Sequence, residues 1–135
     1  MKIVLDTNVI VSGMLTPGGT CRRILDLMLD GTLTACTDAR MLNEYAEVLN
    51  RPEFSLSAEG IELVLGVIRT SGNLVSPMPL AAKLPDPRDL AFLEVAASAK
   101  AIFVTGNARH FPPKERGEVT VLSPPELLAM LQGAC

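Results

Sequence analysis

The sequence predicts an α/β fold in which helices cover a parallel β-sheet. Two short runs, Lys2–Leu5 and residues 101–105, are almost wholly apolar and contain β-branched residues, as is typical of strands buried on both faces. Between them lie longer segments whose apolar residues recur at helical spacing. Strands that alternate with helices favour right-handed crossovers, which produce a parallel sheet.

The elements of the first half follow from local signals. Residues 8–15 are predicted to form a short helix before the Pro-Gly-Gly break at 17–19. Thr20 is expected to cap a second helix, which carries an apolar stripe and ends at Gly31. Residues 33–36 are predicted to form the second strand.

The middle of the chain predicts two further helices. Thr37 or Asp38 can cap the first of them, which runs to about Asn50 and stops before Pro52. Residues 57–71 show a second apolar stripe at helical spacing.

The last third contains another strand–helix alternation. Residues 77–87 are punctuated by proline and predict a loop, with a short strand before it. Residues 89–100 are strongly helical and lead into the strand at 101–105 and a Gly-Asn turn. Residues 119–122 predict a strand, and residues 124–131 a closing helix with proline in its first turn.

The 135 residues are expected to form a single domain spanning 1–135. Hydrophobic residues make up 48% and charged residues 20%, which is typical of globular proteins and not of disordered chains. Aromatic residues make up only 4%, so we expect an aliphatic core. The net charge of −3 counts against a general nucleic-acid binder, which usually carries a basic surplus.

The protein is expected to be cytoplasmic. Cys21, Cys36 and Cys135 are scattered and lack the spacing of a zinc site or a disulfide framework, which favours a reducing compartment. Asp6 and Asn8 interrupt the apolar N-terminal run, which argues against a signal peptide. No run is long enough to predict a membrane span.

Three acidic residues occupy positions where such a sheet places its chemistry. Asp6 directly follows the first strand, and ligands of these sheets bind beyond the carboxyl ends of the strands. Asp89 opens the Ala-rich helix, and Glu44 lies at the edge of the apolar stripe of the third helix. Each also has an ordinary explanation, Asp6 and Asp89 as helix caps and Glu44 as a solvated side chain.

Convergence of these carboxylates would call for a cation. Close carboxylates raise one another's pKa and oppose ionisation, and a hard divalent ion relieves the repulsion. Oxygen ligands suit Mg²⁺ or Mn²⁺ better than zinc. Such ions can activate water and stabilise the charge that develops in phosphodiester hydrolysis.

Three segments together, KIVLDTNVIVSG, DPRDLAFLEVA and IFVTGNARHFP, resemble the PIN-domain family, in particular its small toxin-like branch from toxin–antitoxin pairs. The resemblance covers nearly the whole chain in order and spacing. It implies a three-layer α/β/α sandwich with a central parallel sheet and an acidic ribonuclease centre that uses Mg²⁺ or Mn²⁺. It also implies an RNA substrate, a protein antitoxin and a homodimer.

Carried over by motif, Asp6, Glu44 and Asp89 match the family's catalytic, metal-binding acids. Many members carry a further aspartate where this chain has Asn107, which keeps an oxygen ligand but loses a charge. The resemblance gives supporting roles to Asn8 and Thr105, and Asp86 either adds a carboxylate or shapes its loop. His110, the only histidine, is expected at a loop or helix edge and not in catalysis.

Two other classes of function remain open at this point. The chain could be a catalytically silent PIN-fold module that binds an antitoxin or itself, and Asn107 gives this alternative some weight. It could instead be a phosphotransfer enzyme or receiver domain using Asp6. However, a dehalogenase-type site would need a second aspartate where Asn8 stands, and a receiver would need its phosphoacceptor on a later strand.

Overall fold

A five-stranded β-sheet lies at the centre of the protein in a computed structural model that describes residues 1–133. The strands are Lys2–Leu5 (β1), Thr34–Thr37 (β2), Asn73–Leu74 (β3), Ile102–Val104 (β4) and Val121–Leu122 (β5). They follow the spatial order β3-β2-β1-β4-β5, and each of these neighbours pairs in parallel. Leu5 of β1 lies beside Val104 of β4, so these two strands end together at one edge of the sheet.

Six α-helices within the described residues flank the sheet and complete the predicted three-layer α/β/α sandwich. They are Thr7–Leu15 (α1), Thr20–Leu29 (α2), Ala39–Leu49 (α3), Ala58–Ser71 (α4), Leu90–Ala99 (α5) and Pro124–Gln132 (α6). Their order along the chain is the predicted one. Among these helices, none combines the length and the apolar character that a membrane crossing would require.

The core is mainly aliphatic, as expected, but a row of aromatic rings also crosses it. Phe92 of α5 stacks on Phe103 of β4 with ring centroids 5.8 Å apart. Phe111 meets the edge of Phe103 at 4.6 Å, and Tyr45 of α3 lies 6.5 Å from Phe92. Although aromatic residues are few, these four are almost fully buried, and they pack α3 and α5 against each other and α5 against the sheet.

Several helix boundaries differ from the prediction. Thr20 does not cap α2; it is the first residue of that helix, and Gly19 occupies the cap position without a side chain to offer. Asp38, one of the two candidates, caps α3 by accepting a hydrogen bond from the backbone N–H of Met41 at 3.0 Å. α5 begins at Leu90 because the three residues before it form a 3₁₀ turn.

A buried carboxylate that the sequence analysis did not single out joins three segments. Glu94 of α5 is only 5% exposed and accepts a hydrogen bond from the backbone N–H of Leu80 at 2.8 Å. Arg40 donates to Glu94 at 2.7 Å and also pairs with Asp38 at 2.6 Å. These contacts hold the proline-rich loop against α5 and fix the start of α3 beside it, since a buried charge is stable only when its hydrogen bonds are satisfied.

Two of the three cysteines can be described. Cys21 is partly buried and Cys36 is buried in β2, and both are free thiols. Burial raises the pKa of each thiol, so both stay protonated at neutral pH. Cys135, the third cysteine, lies outside the described residues.

Candidate active site

Asp6 is held at the carboxyl end of β1 by the neighbouring strand. Its backbone N–H donates to the carbonyl of Val104 at 2.9 Å, which extends the β1–β4 pairing by one residue. Its side chain makes no capping hydrogen bond with α1, so the simple capping explanation does not describe it. Instead, the hydroxyl of Thr105 donates to Oδ2 of Asp6 at 2.6 Å, and the same hydroxyl oxygen accepts from the backbone N–H of Asn107.

Glu44 approaches the same strand end from α3. The hydroxyl of Thr7, the residue that follows Asp6, donates a short hydrogen bond to Oε2 of Glu44. One residue along α3, the buried hydroxyl of Tyr45 donates to the backbone carbonyl of Leu5. Burial raises the pKa of Tyr45 well above its ordinary value, so the phenol stays protonated and keeps its role as a donor. These two contacts fix the helix over the end of β1.

Asp89, at the start of α5, is the third acidic residue near this strand end. It occupies the cap position of that helix with helical backbone angles, and its side chain makes no capping hydrogen bond. Nδ1 of His110 lies 3.6 Å from Oδ2 of Asp89. Neither oxygen of the carboxylate is used by the helix, and within residues 1–133 its ion-pair contact is the one with His110.

Asp86 and Arg88 shape the loop before α5. The Asp86 carboxylate accepts from the backbone N–H of Arg88 at 3.0 Å and pairs with its guanidinium at the same distance. These hydrogen bonds lower the pKa of Asp86, which therefore stays ionised. Of the two roles considered for Asp86, the contacts match the shaping of the loop.

The structure brings all of the sequence-predicted site residues to one cavity or its wall, a pocket of about 330 Å³ that we call the acidic pocket. Thr105 does not line the pocket itself but hydrogen-bonds to Asp6, which does. The predicted residues that line it are Asp6, Asn8, Glu44, Asp86, Asp89 and Asn107. Residues as far apart in the chain as Asp6 and Asn107 thus share one opening at the edge of the sheet.

The carboxylates in the acidic pocket repel one another. Burial and, after it, the charges of Asp6, Asp86 and Glu44 together raise the pKa of Asp89 to about 6, against the opposing effect of His110. Burial likewise raises the pKa of Asp6, against the hydrogen bonds from Thr105 and the backbone of Thr7. The pocket is therefore a site where negative charge is costly and a cation would relieve the cost.

The donor set is compatible with a divalent ion of the Mg²⁺ type. Among residues 1–133 no three His, Cys, Asp or Glu side chains are already arranged to hold a metal between them. Mg²⁺ does not need such a cage, because it usually keeps several waters and binds through one or two carboxylates. In addition, the amide oxygen of Asn8 is buried and has no hydrogen-bond partner in the described structure. A polar atom in that condition fits a site that receives a hydrated ion or a substrate.

Sequence reasoning missed three residues at this site. Thr7 orients Glu44, and the only available signal was its place directly after Asp6. Arg51 and His110 line the acidic pocket although they belong to loops with no distinguishing pattern. The expectation that His110 lies at a loop or helix edge agrees with its place at the end of a 3₁₀ turn, and its contact with Asp89 was not anticipated.

Comparison with known proteins finds a matching family model, a related sequence and a similar solved structure. A family model described as PIN domain matches residues 2–109. An uncharacterized protein from Methanocaldococcus jannaschii is 26% identical over 110 residues, which cover 79% of this chain and 71% of that protein. Among solved structures, a chain of VapBC2 from Rickettsia felis, crystallised with a DNA fragment from their promoter, superposes with a TM-score of 0.58 at 16% identity. That match covers 91% of this chain and 98% of the other, and it supports the fold alone.

Proposed function

Because this chain belongs to the PIN-domain family, we propose that it is a ribonuclease that hydrolyses RNA phosphodiesters with Mg²⁺ or Mn²⁺ as its cofactor. The observation that carries the proposal is the convergence of Asp6, Glu44 and Asp89 on the acidic pocket. Asp6 and Asp89 have raised pKa values, to which burial and the neighbouring carboxylates contribute, and neither side chain caps a helix, so their ionised forms are a cost to the fold. Such a cost is commonly found at functional sites.

The residues divide into ligands and supports. Asp6, Glu44 and Asp89 are the proposed catalytic acids and metal ligands, with the amide oxygen of Asn107 beside them. A divalent ion bound there would neutralise the pocket, polarise the phosphate and activate a water molecule. Thr105 holds the carboxylate of Asp6 in one orientation, and Thr7 does the same for Glu44.

A cleavage assay with single-stranded RNA tests this function. Wild-type protein should cut a labelled oligoribonucleotide when Mg²⁺ or Mn²⁺ is added and not in EDTA. Asp6→Asn and Asp89→Asn should each lower the rate by roughly 100-fold or more, because each removes charge that the ion needs. Asp26→Asn is the matched control, since that carboxylate is exposed on α2 and only pairs with Arg22.

A catalytically silent binding module is the second candidate, favoured by the amide of Asn107 in place of a fourth acid. Titration calorimetry with Mn²⁺ separates the two, because a silent module has no need to bind the ion. If wild-type protein releases no binding heat and cuts no RNA, the ribonuclease proposal is wrong and the module is favoured.

We further propose a protein antitoxin and a homodimer as partners of this chain in the cytoplasm. The support is the likeness in fold to the VapBC2 chain together with the toxin-like motifs of the sequence. Light scattering after gel filtration would test the homodimer. Purification of the tagged chain from cells that also express the neighbouring genes would test the antitoxin, and recovery of the tagged chain alone would contradict it.

A further inference from the structure

A second cavity adjoins the acidic pocket. It has a volume of about 410 Å³ and lies between α3 and the beginning of α5, and we call it the helical groove. Its floor contains the buried side chains of Met41 and Phe92. The partly buried Val48 and Leu90 and the exposed Pro87 stand along it. A cavity of this size lies within the range of roughly 300 to 1,000 Å³ that is typical of small-ligand sites.

The helical groove and the acidic pocket share part of their walls. Four residues line both cavities, namely Glu44, Val48, Arg51 and Arg88. Two of these four are cations placed at the junction. A chain of phosphates that extended from the acidic pocket into the groove would therefore meet Arg51 and Arg88.

The two junction arginines keep guanidinium donors that the described fold does not use, unlike Arg40, the third arginine of the groove. Arg40 is already bound to Asp38 and Glu94, so its charge is used by the fold. The guanidinium of Arg51 takes part in no ion pair or hydrogen bond within residues 1–133. Arg88 is also ion-paired, with Asp86 through Nε and Nη2, but its side chain remains 79% exposed and its Nη1 has no partner within residues 1–133.

We propose that the helical groove is a nucleotide subsite of the ribonuclease, a proposal that rests on the function proposed above. Arg51 and Arg88 contact the phosphate next to the scissile one, and the adjoining base lies on the apolar surface of Val48, Pro87 and Leu90. Arginine suits this place because its planar guanidinium binds phosphate with two donors and also stacks on a base. The substrate is single-stranded, since a base must leave its stack to enter the groove.

Local charge explains how a protein with a net charge of −3 attracts RNA. The whole surface does not need a basic surplus if the cations stand where the strand enters. The bound divalent ion and the two junction arginines would supply the attraction along one short path.

Binding of a fluorescein-labelled hexaribonucleotide, with Ca²⁺ present to limit cleavage, tests the subsite. We expect Arg51→Ala to weaken binding roughly 5- to 10-fold and to lower the slope of log Kd against log salt by about 0.7, the value of one phosphate contact on a single strand. Arg51→Lys should recover part of the affinity. Arg69→Ala is the control, because Arg69 is an exposed arginine of α4 paired with Glu62 that lines neither cavity.

Methyl NMR of the same complex reports on the base. The methyl signals of Val48 and Leu90 should shift when the hexaribonucleotide is added, whereas those of Leu63, exposed on α4, should stay in place. Unchanged signals in the groove, or equal affinity of Arg51→Ala and wild type, would overturn the subsite. So would a change of oligomeric state in Arg51→Ala without a change in RNA affinity, which would assign the groove to contact with a second copy.

Failure of the subsite and failure of the ribonuclease proposal give different results. Cleavage by wild type with unaffected groove methyls refutes the subsite alone. Binding in the groove without cleavage in Mg²⁺ or Mn²⁺ supports the subsite and refutes the ribonuclease. Absence of both binding and cleavage refutes both.

Discussion

Replacing Asp89 by asparagine should stabilise the metal-free protein at neutral pH. Burial is the largest cause that disfavours the ionised Asp89 carboxylate; the charges of Asp6, Asp86 and Glu44 add to it, and the partner His110 opposes them only in part. It makes no capping hydrogen bond, so asparagine removes the repulsion without removing a structural contact of the helix. A gain in stability is therefore expected where most substitutions of a half-buried residue would cause a loss.

The size and the sign of the effect follow from the pKa of Asp89. In the folded protein this pKa is about 6, above its ordinary value of 3.8. Between these values the folded state holds more protons than the unfolded state, so stability falls as pH rises through this window and stays lower above it. The full difference would correspond to about 3 kcal/mol. Because the group is partly exposed and screened by solvent, about 1 kcal/mol is a realistic gain.

Thermal unfolding followed by circular dichroism, in EDTA, measures this gain. At pH 7.5 the Tm of Asp89→Asn should exceed that of wild type by about 2 to 5 °C, and the difference should shrink as the pH falls below 6. Asp26→Asn should change stability by less than about 0.5 kcal/mol at either pH. Added Mn²⁺ should raise the Tm of wild type and should do so much less for Asp89→Asn.

A clear loss of stability would refute this reasoning. If Asp89→Asn lowered the free energy of unfolding by more than about 1 kcal/mol at pH 7.5, the Asp89 carboxylate would be a structural group. A pH-independent gain would also contradict it, because the repulsion exists only when the carboxyl group is ionised.

Three further outcomes are expected. Thr105→Val should lower the free energy of unfolding by about 1 to 3 kcal/mol, because it removes the hydroxyl that donates to the buried Asp6 carboxylate. In urea unfolding, this loss should be larger at a pH above the raised pKa of Asp6, where the carboxylate is ionised and needs the donor most. Val4→Ala should lower the free energy of unfolding by about 2 kcal/mol, because it leaves a cavity in the core. Ile102→Ala should lower it by less, since Ile102 is only partly buried. Equal losses in the two variants would show that burial does not control the effect. Ser123→Ala should cost about 1 kcal/mol by breaking the capping box of α6, and Ser123→Asp, which can still cap, should recover most of the loss.

The strands and helices were largely accessible to sequence analysis because their signals are local. The run at β1 and the amphipathic stripes of α2, α3 and α4 each lie within a few turns of chain, so hydrophobic periodicity reveals them directly. Errors were confined to their ends. Thr20 offered a plausible cap side chain, yet the helix begins one residue earlier than a cap at that position would allow.

The supporting contacts of the site were not accessible in the same way. Thr7 and Glu44 are 37 positions apart, Arg40 and Glu94 are 54 apart, and Asp6 and Thr105 are 99 apart. No periodic pattern joins residues at such separations. The carboxylates themselves could be proposed because sheet topology predicts where strand ends meet.

Local composition and spacing predicted the α/β class and the order of the elements, and together with the motif resemblance they proposed Asp6, Glu44 and Asp89 as site residues. Which hydroxyl orients which carboxylate, how far burial raises the pKa of Asp89, and where Arg51 and His110 stand relative to the acids depended on how distant segments pack. The physical reason is range: backbone preference and hydrophobic periodicity act over a few residues, whereas desolvation, hydrogen bonding and charge–charge repulsion act through space and exist only once the chain has folded.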